Sequence, residues 1–279
     1  MKKAKNFIKT RTGFWWRCTY VLLLSGLLSS ARAMDAYEIV KASDERDVGQ
    51  SSEGISQMIL IDNKGRQRVR DMKQYRLQQP DVEKTLIFFL QPGDVKGTAY
   101  MNYDYEAESR EDDSWLYLPA LKKVNRIAAS DQSGAFMGSD FSYSDINGTH
   151  IEWYDYVILS DSEIVDGADC WVILSTPKPE YSKQVSMQTG YQKSQLWIRK
   201  DNYVQVQGKF WEEKPGKIKY FSAKELELID GIWTAKRLQM VSTRNGQKQH
   251  ASVINVGSIK YNINVSKELF TTQSMERGL

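Results

Sequence analysis

Few residues in this sequence are of a type and spacing that do chemistry. Four carboxylates, Asp140, Asp145, Glu152 and Asp155, lie close together in and after a stretch rich in Ser and Gly. Two carboxylates facing each other across a sugar would be the pair that glycoside hydrolysis needs. The same residues also suit turn caps or ion pairs with Lys122, Lys123 and Arg126. Their spacing does not match an Asp-x-Asp-x-Asp-Gly calcium loop. The two histidines, His150 and His250, stand a hundred positions apart with no cysteine pair, so no zinc or other metal site is expected. The phosphate-binding glycine loops and the Gly-x-Ser-x-Gly elbow are missing, and no cofactor is expected. Cys170 sits in the apolar run Asp169-Cys170-Trp171-Val172-Ile173-Leu174, where a lone thiol serves as a small hydrophobe. The reading is a non-enzyme.

Whatever the chain does must then come from its elements. Its 279 residues are 41% hydrophobic and 11% aromatic, the mixture of a globular protein. Charge is unevenly spread. Seven of the 38 basic residues fall in residues 1–33, which hold no acid, leaving 31 basic against 35 acidic residues in the remainder. A net acidic body argues against nucleic acid as a partner. The first 33 residues read as a cleaved signal peptide: a basic stretch to Arg17, an apolar run from Tyr20 to Leu28, and Ala31-Arg32-Ala33 as the cleavage motif. The apolar run is too short to span a bilayer. The expectation is therefore an exported, soluble, periplasmic domain over residues 34–279, with Cys170 as its one thiol.

Within that domain, residues 34–48 have a helical pattern opened by Asp35 with Glu38 three positions on, the spacing of a capping box. From Gly54 the period changes to two. Twelve strands are expected: 55–61, 68–77, 85–90, 98–105, 114–118, 153–159, 170–176, 194–199, 203–211, 218–228, 232–241 and 251–259. Asp-Gly, Asn-Gly and Pro-Gly pairs separate several of them. A short helix over 266–275 closes the chain. The longest irregular stretch, residues 129–148, has the length of a functional loop or lid.

In Val204–Phe210 one strand face is apolar and the other polar, as in a sheet with one face in water. In Leu86–Leu90, Trp153–Leu159 and Cys170–Leu174 both faces are apolar. Such strands need cover twice, by the core on one side and by a helix, a lid or a ligand on the other. Packed helix and ligand cavity both satisfy that requirement.

Two strings are less generic. One is Phe89-Leu90-Gln91-Pro92-Gly93-Asp94-Val95-Lys96-Gly97-Thr98-Ala99-Tyr100. The other runs from Trp115 to Ala128 and continues as Ser133-Gly134-Ala135-Phe136-Met137-Gly138-Ser139-Asp140-Phe141-Ser142-Tyr143-Ser144-Asp145. Together they closely resemble the bacterial outer-membrane lipoprotein-sorting proteins, relatives of the LolA and LolB carriers. The resemblance implies a mainly β fold with a few helices: an incomplete, unclosed antiparallel β-barrel with helices covering its concave face. It also implies a periplasmic carrier of lipid or lipid-modified cargo, binding acyl chains and touching membranes transiently. A resistance-nodulation-division (RND) type exporter of the inner membrane is the implied donor.

On that reading Phe88, Leu90, Met101, Trp115, Tyr117, Phe136 and Met137 are expected in a cavity wall and lid, with ordinary core packing as the alternative for each. Lys123 and Arg126 are expected to pair with Asp140 or Asp145 and pin the Phe136–Gly138 segment closed. A sensor or scaffold using the same half-barrel to bind a partner protein remains open beside the carrier, as does a hydrolase using Asp140 and Asp145.

Overall fold

The structure, a computed structural model, describes residues 34–107 and 110–279. The expected signal peptide, residues 1–33, lies outside the described residues.

Helix α1 (Ala36–Asp44) starts where the capping box places it. The Asp35 side chain accepts from the Glu38 amide at 2.9 Å, and the Glu38 carboxylate accepts from the Asp35 amide at 2.8 Å. Its Ala36, Ile39 and Val40 are buried. The helix ends at Asp44 rather than running to Val48, because the chain turns at Gly49 to enter the sheet. Gly49 has φ +77°, and a Cβ there would meet Ile232 at 2.8 Å, so the turn requires glycine. Arg76 fastens the same turn by donating to the carbonyls of Val48 and Gly49 and to the Glu83 carboxylate.

Thirteen strands follow. The first six are β1 (Ser51–Ile61), β2 (Gln67–Gln79), β3 (Val82–Gln91), β4 (Ala99–Tyr105), β5 (Asp113–Leu118) and β6 (Lys123–Ile127). The other seven are β7 (Tyr154–Val165), β8 (Ala168–Pro177), β9 (Tyr191–Arg199), β10 (Gln205–Glu212), β11 (Lys217–Ile229), β12 (Ile232–Arg244) and β13 (Gln247–Tyr261). All belong to one antiparallel sheet, ordered β6-β5-β4-β3-β2-β1-β13-β12-β11-β10-β9-β8-β7. The chain meanders outward from β1 to one edge at β6, crosses to the other edge at β7, and meanders back until β13 pairs with β1. The crossing segment, residues 128–153, holds α2 (Tyr143–Asn147) and three 3-10 turns. Helix α3 (Ser182–Thr189) joins β8 to β9, and α4 (Thr272–Arg277) ends the chain.

The sheet curls without closing. One apolar cluster on its concave face joins Met58, Met72 and Phe89 of the first half to Met240 of the second, with Phe136 and Phe141 of the crossing segment packed between them. This is the unclosed barrel with helices over its concave face. The twelve expected strands are all present. Strand β6 is the addition, and its sequence Lys-Val-Asn-Arg-Ile has too few apolar positions to show an alternation. The expected closing helix is a 3-10 turn followed by the shorter α4.

Strand β3 is covered twice. Ile87 and Phe89 face the concave cluster, while Leu86 and Phe88 face an outer cluster with Tyr75, Ala99 and Met101. Val265, Phe270 and Met275 of the C-terminal segment seal that outer cluster. The expectation of double cover fails for β7, an edge strand whose Val157 and Leu159 are 56% and 51% exposed. Cys170 is fully buried with no sulfur partner among the described residues, and burial pushes its thiol up, as suits an inert packing residue.

Candidate functional site

The concave face of the second half of the sheet encloses a chamber of about 470 Å³. Alternation along β9, β11 and β12 turns Leu196, Ile198, Phe221, Leu238 and Met240 into it, and Val40 of α1 covers it. Helix α1 rests on this region through Ala36, Ile39 and Val40 against Ile173 and Ile198. Tyr37, Glu38 and Lys41 on its other face are exposed, so apolar contact holds it over the chamber.

Polar groups share the chamber wall with the apolar ones: Asp44, Arg46, Asp145 and Gln205 line it, as do three tyrosines. The Tyr156 hydroxyl donates to the Ile151 carbonyl at 3.0 Å, and burial holds it far above its ordinary pKa. Tyr154 is pushed up by burial to about 12. Both phenols are neutral hydrogen-bonding groups at any physiological pH. Tyr191, 8% exposed, donates to Asp145 of α2 at 2.8 Å and accepts from Lys219 of β11 at 3.1 Å.

A second, polar cavity of about 820 Å³ adjoins the first. Asp44, Arg46, Gly148, Thr149 and Ile151 line both, so the apolar chamber opens into a polar vestibule. Carboxylates dominate the vestibule: Asp44, Glu83, Asp104, Asp112 and Glu152 line it, beside Arg46 and His150. Burial pushes Asp104 up to about 8, aided by the charges of Asp112, Glu83 and Asp44. Asp112 is raised as well, chiefly by its own burial. Asp44 is raised by burial and by Glu152.

The crossing segment is bolted to the sheet. The Arg70 guanidinium donates to the Met137 carbonyl. The Asp140 carboxylate accepts from the Ser252 hydroxyl at 2.7 Å, whose oxygen accepts from the Asp140 amide at 2.9 Å. Tyr100 donates to Asn147 at 2.5 Å. Asp145, besides Tyr191, accepts from the Ser142 amide at 2.8 Å in a second capping box.

These contacts redistribute the residues expected at the site. Arg126 bonds Asp113 on the neighbouring strand at 2.5 Å instead of Asp140 or Asp145, because β5–β6 pairing sets the two side by side. Lys123 is an exposed residue at the start of β6. Asp140 and Asp145 do hold the Phe136–Gly138 region, through Ser252, Tyr191 and Lys219. Phe88, Leu90, Met101, Trp115 and Tyr117 share the outer cluster under the C-terminal segment. Phe136 is core on the concave face, with Met137 packed partly beside it. None of the seven lines the chamber. In β3 both faces are apolar, and alternation shows which residues share a face without showing which face is concave. The lining residues of the second half carried one signal, the run Leu196-Trp197-Ile198 with its apolar partners on β11 and β12.

A family model described as an uncharacterized protein matches residues 81–277. No curated protein matches the chain. The crystal structure of a DUF1329 family protein from Desulfovibrio piger is 30% identical, with TM-score 0.76, covering 86% of this chain and 97% of that one. One from Vibrio parahaemolyticus, described as an outer membrane lipoprotein-sorting protein domain, is 29% identical with TM-score 0.75, covering 87% and 98%. A LolA superfamily protein from Nitrosomonas europaea is 18% identical with TM-score 0.63, covering 87% and 100%, and shares the fold. With the unclosed thirteen-stranded barrel and its plugged concave face, these likenesses show that the chain belongs to the DUF1329 family and has a LolA-like fold.

Proposed function

We propose that the protein is a periplasmic carrier that shelters the apolar part of a lipid or lipid-modified cargo between membranes. The observation that carries this reading is the apolar chamber under α1, continuous with a polar vestibule. An acyl chain of sixteen carbons costs about 0.8 kcal/mol per exposed methylene, roughly 13 kcal/mol in all, so it does not cross water unaided. A chamber walled by Leu, Ile, Phe and Met removes that cost, and Met240 adapts its shape to different chains. The polar head of the cargo lies in the vestibule, where it stays hydrated. Release needs a cover that moves. Helix α1 is that cover, because it is short and held by apolar packing, whereas the crossing segment is tied at Met137, Asp140, Asp145 and Asn147. The donor is an RND-type exporter of the inner membrane, and the acceptor is the outer membrane.

A sensor or scaffold is the second reading. The open edge of β7 favours it, since an exposed strand of twelve residues accepts a partner strand by backbone pairing.

Native mass spectrometry with organic extraction, on protein purified from periplasm without detergent, tests the proposal. A co-purifying lipid or acylated peptide near one per chain is expected. A bare mass, with no uptake of added fatty acid or phospholipid, overturns the carrier in favour of the scaffold.

A further inference from the structure

The meander sends alternate loops to opposite ends of the barrel, and the two ends differ in charge. The loops that follow β1, β3, β5, β10 and β12 share one end. They carry the exposed cations Lys64, Arg66, Lys96, Lys122 and Lys214 against the acids Asp62, Asp94 and Glu213. The loops at the other end carry Asp81, Glu106, Asp112, Asp166, Asp201 and Asp230, with Arg110 and Lys200 as their cations. The vestibule lies at this acidic end, between Gln50, Gln78 and Glu106.

At the basic end the sheet itself adds a group of aromatic rings and lysines. Trp211 of β10 pairs with Ile218 of β11, and Lys209 with Tyr220. Phe210, between Lys209 and Trp211, faces the chamber, so Lys209 and Trp211 point outward. The Lys209 ammonium lies 4.4 Å from the Trp211 ring and 6.0 Å from that of Tyr220, and Lys193 lies 4.9 Å from Trp211. These cations rest on rings, not on carboxylates, and Tyr220 is 41% exposed. On the adjoining strands Val241 and the exposed Lys248 extend the same outer surface. Amphipathic rings beside lysines are the composition of a water–lipid interface, where rings settle among headgroups and ammonium groups meet phosphates.

We propose that this basic, aromatic end is the face by which the protein docks on an anionic bilayer. The inference deepens the carrier reading and rests on it for the need to meet a membrane at all. Charge complementarity selects the occupant: the body is net acidic, yet this end is cationic, and the opposite end is repelled by the same surface. Docking this way directs the vestibule away from the bilayer.

Flotation of the purified protein with vesicles tests it. Phosphatidylcholine vesicles containing phosphatidylglycerol should bind the protein, and phosphatidylcholine alone should not. Binding should weaken as salt rises. The triple variant K209E/K214E/K248E should lose at least about tenfold in binding, while Trp211→Ala should lose binding without changing its salt dependence. Equal binding to neutral vesicles, no binding to either, or unchanged binding of the triple variant overturns the proposal. A dimer in sedimentation that Trp211→Ala dissociates gives the face to a second copy and also overturns it. Uptake of a fluorescent fatty acid by the triple variant is read alongside. Normal uptake with lost flotation supports docking, whereas flotation by a protein that takes up no lipid removes the carrier reading alone.

Discussion

Lys219 and Asp145 face each other across the interior, Nζ to Oδ2 at 3.5 Å, with side chains only 10% and 9% exposed. Lys219 belongs to the wall and Asp145 to the segment that crosses it, with the Tyr191 hydroxyl bonded to both. Taking two charges out of water costs several kcal/mol each, so the pair holds only while both members are present. Asp145→Ala is therefore expected to destabilise the protein by about 3–5 kcal/mol, because it leaves a buried ammonium uncompensated. Combining Asp145→Asn with Lys219→Met should recover most of the loss. Urea unfolding of the three proteins measures this.

Arg126 gives the contrasting case. Its pair with Asp113 is largely in solvent, with the arginine side chain 58% exposed. Arg126→Ala should cost at most about 1 kcal/mol and leave the release rate of a bound fluorescent fatty acid unchanged. Faster release from this variant would show that the β5–β6 hairpin takes part in opening.

Chamber and outer core should separate under mutation. Ala223 lines the chamber and is 5% exposed. Ala223→Phe should fill the chamber and abolish uptake at a stability cost of about 1–3 kcal/mol. Phe88, 2% exposed under the C-terminal segment, does the reverse. Phe88→Ala should cost about 3–5 kcal/mol and leave the stoichiometry of uptake intact. Titration with a fluorescent fatty acid, paired with denaturation, distinguishes the two.

Helix α1 is expected to open first. Ile39 is fully buried and is its main anchor. Ile39→Ala should raise the release rate and speed amide hydrogen exchange over residues 36–44, with little change in exchange along β1 and β13. Uniformly faster exchange across the sheet would instead mean global destabilisation.

Asp104 sets a pH dependence. An unfolded aspartate titrates near about 3.9, whereas folded Asp104 keeps its proton to about 8. Between those values the native state binds more protons than the unfolded state, so this group lowers stability as pH rises and the loss is complete above about 8. Asp104→Asn imitates the protonated form. It should flatten the slope of unfolding free energy against pH and be more stable than the parent above the upper value. An unchanged slope would assign the titration to Asp112 or Asp44.

Most of the scaffold was legible because alternation is a local property. Strands such as β3 and β11 announce themselves, and Asp35 with Glu38 announces α1. What stayed hidden depended on relations between distant segments. Phe88 and Phe89 are equally apolar, and only the arrival of Phe270 on one side and Phe136 on the other decides which faces inward. Arg126 looked available to Asp140 because nothing nearby in sequence marks β6 as a strand. Once β6 pairs with β5, Asp113 is the carboxylate beside it.

The pairing of β13 with β1 carries a consequence for how the chain reaches its native state. Met58 and Val253 lie on adjacent strands that are almost two hundred residues apart in sequence, and β1 has no partner on that side until the last strand arrives. The first half can fold early into a six-stranded meander by short hairpins. Its concave residues Met72, Ile87 and Phe89 then have only Phe136 and Phe141 of the crossing segment as cover until Met240 and Ile254 reach them. Pairings of such long range form slowly, and an uncovered sheet edge beside bare apolar surface is where chains stick to one another. A half-made molecule therefore needs shelter of its own, of the same kind that the finished one is proposed to give.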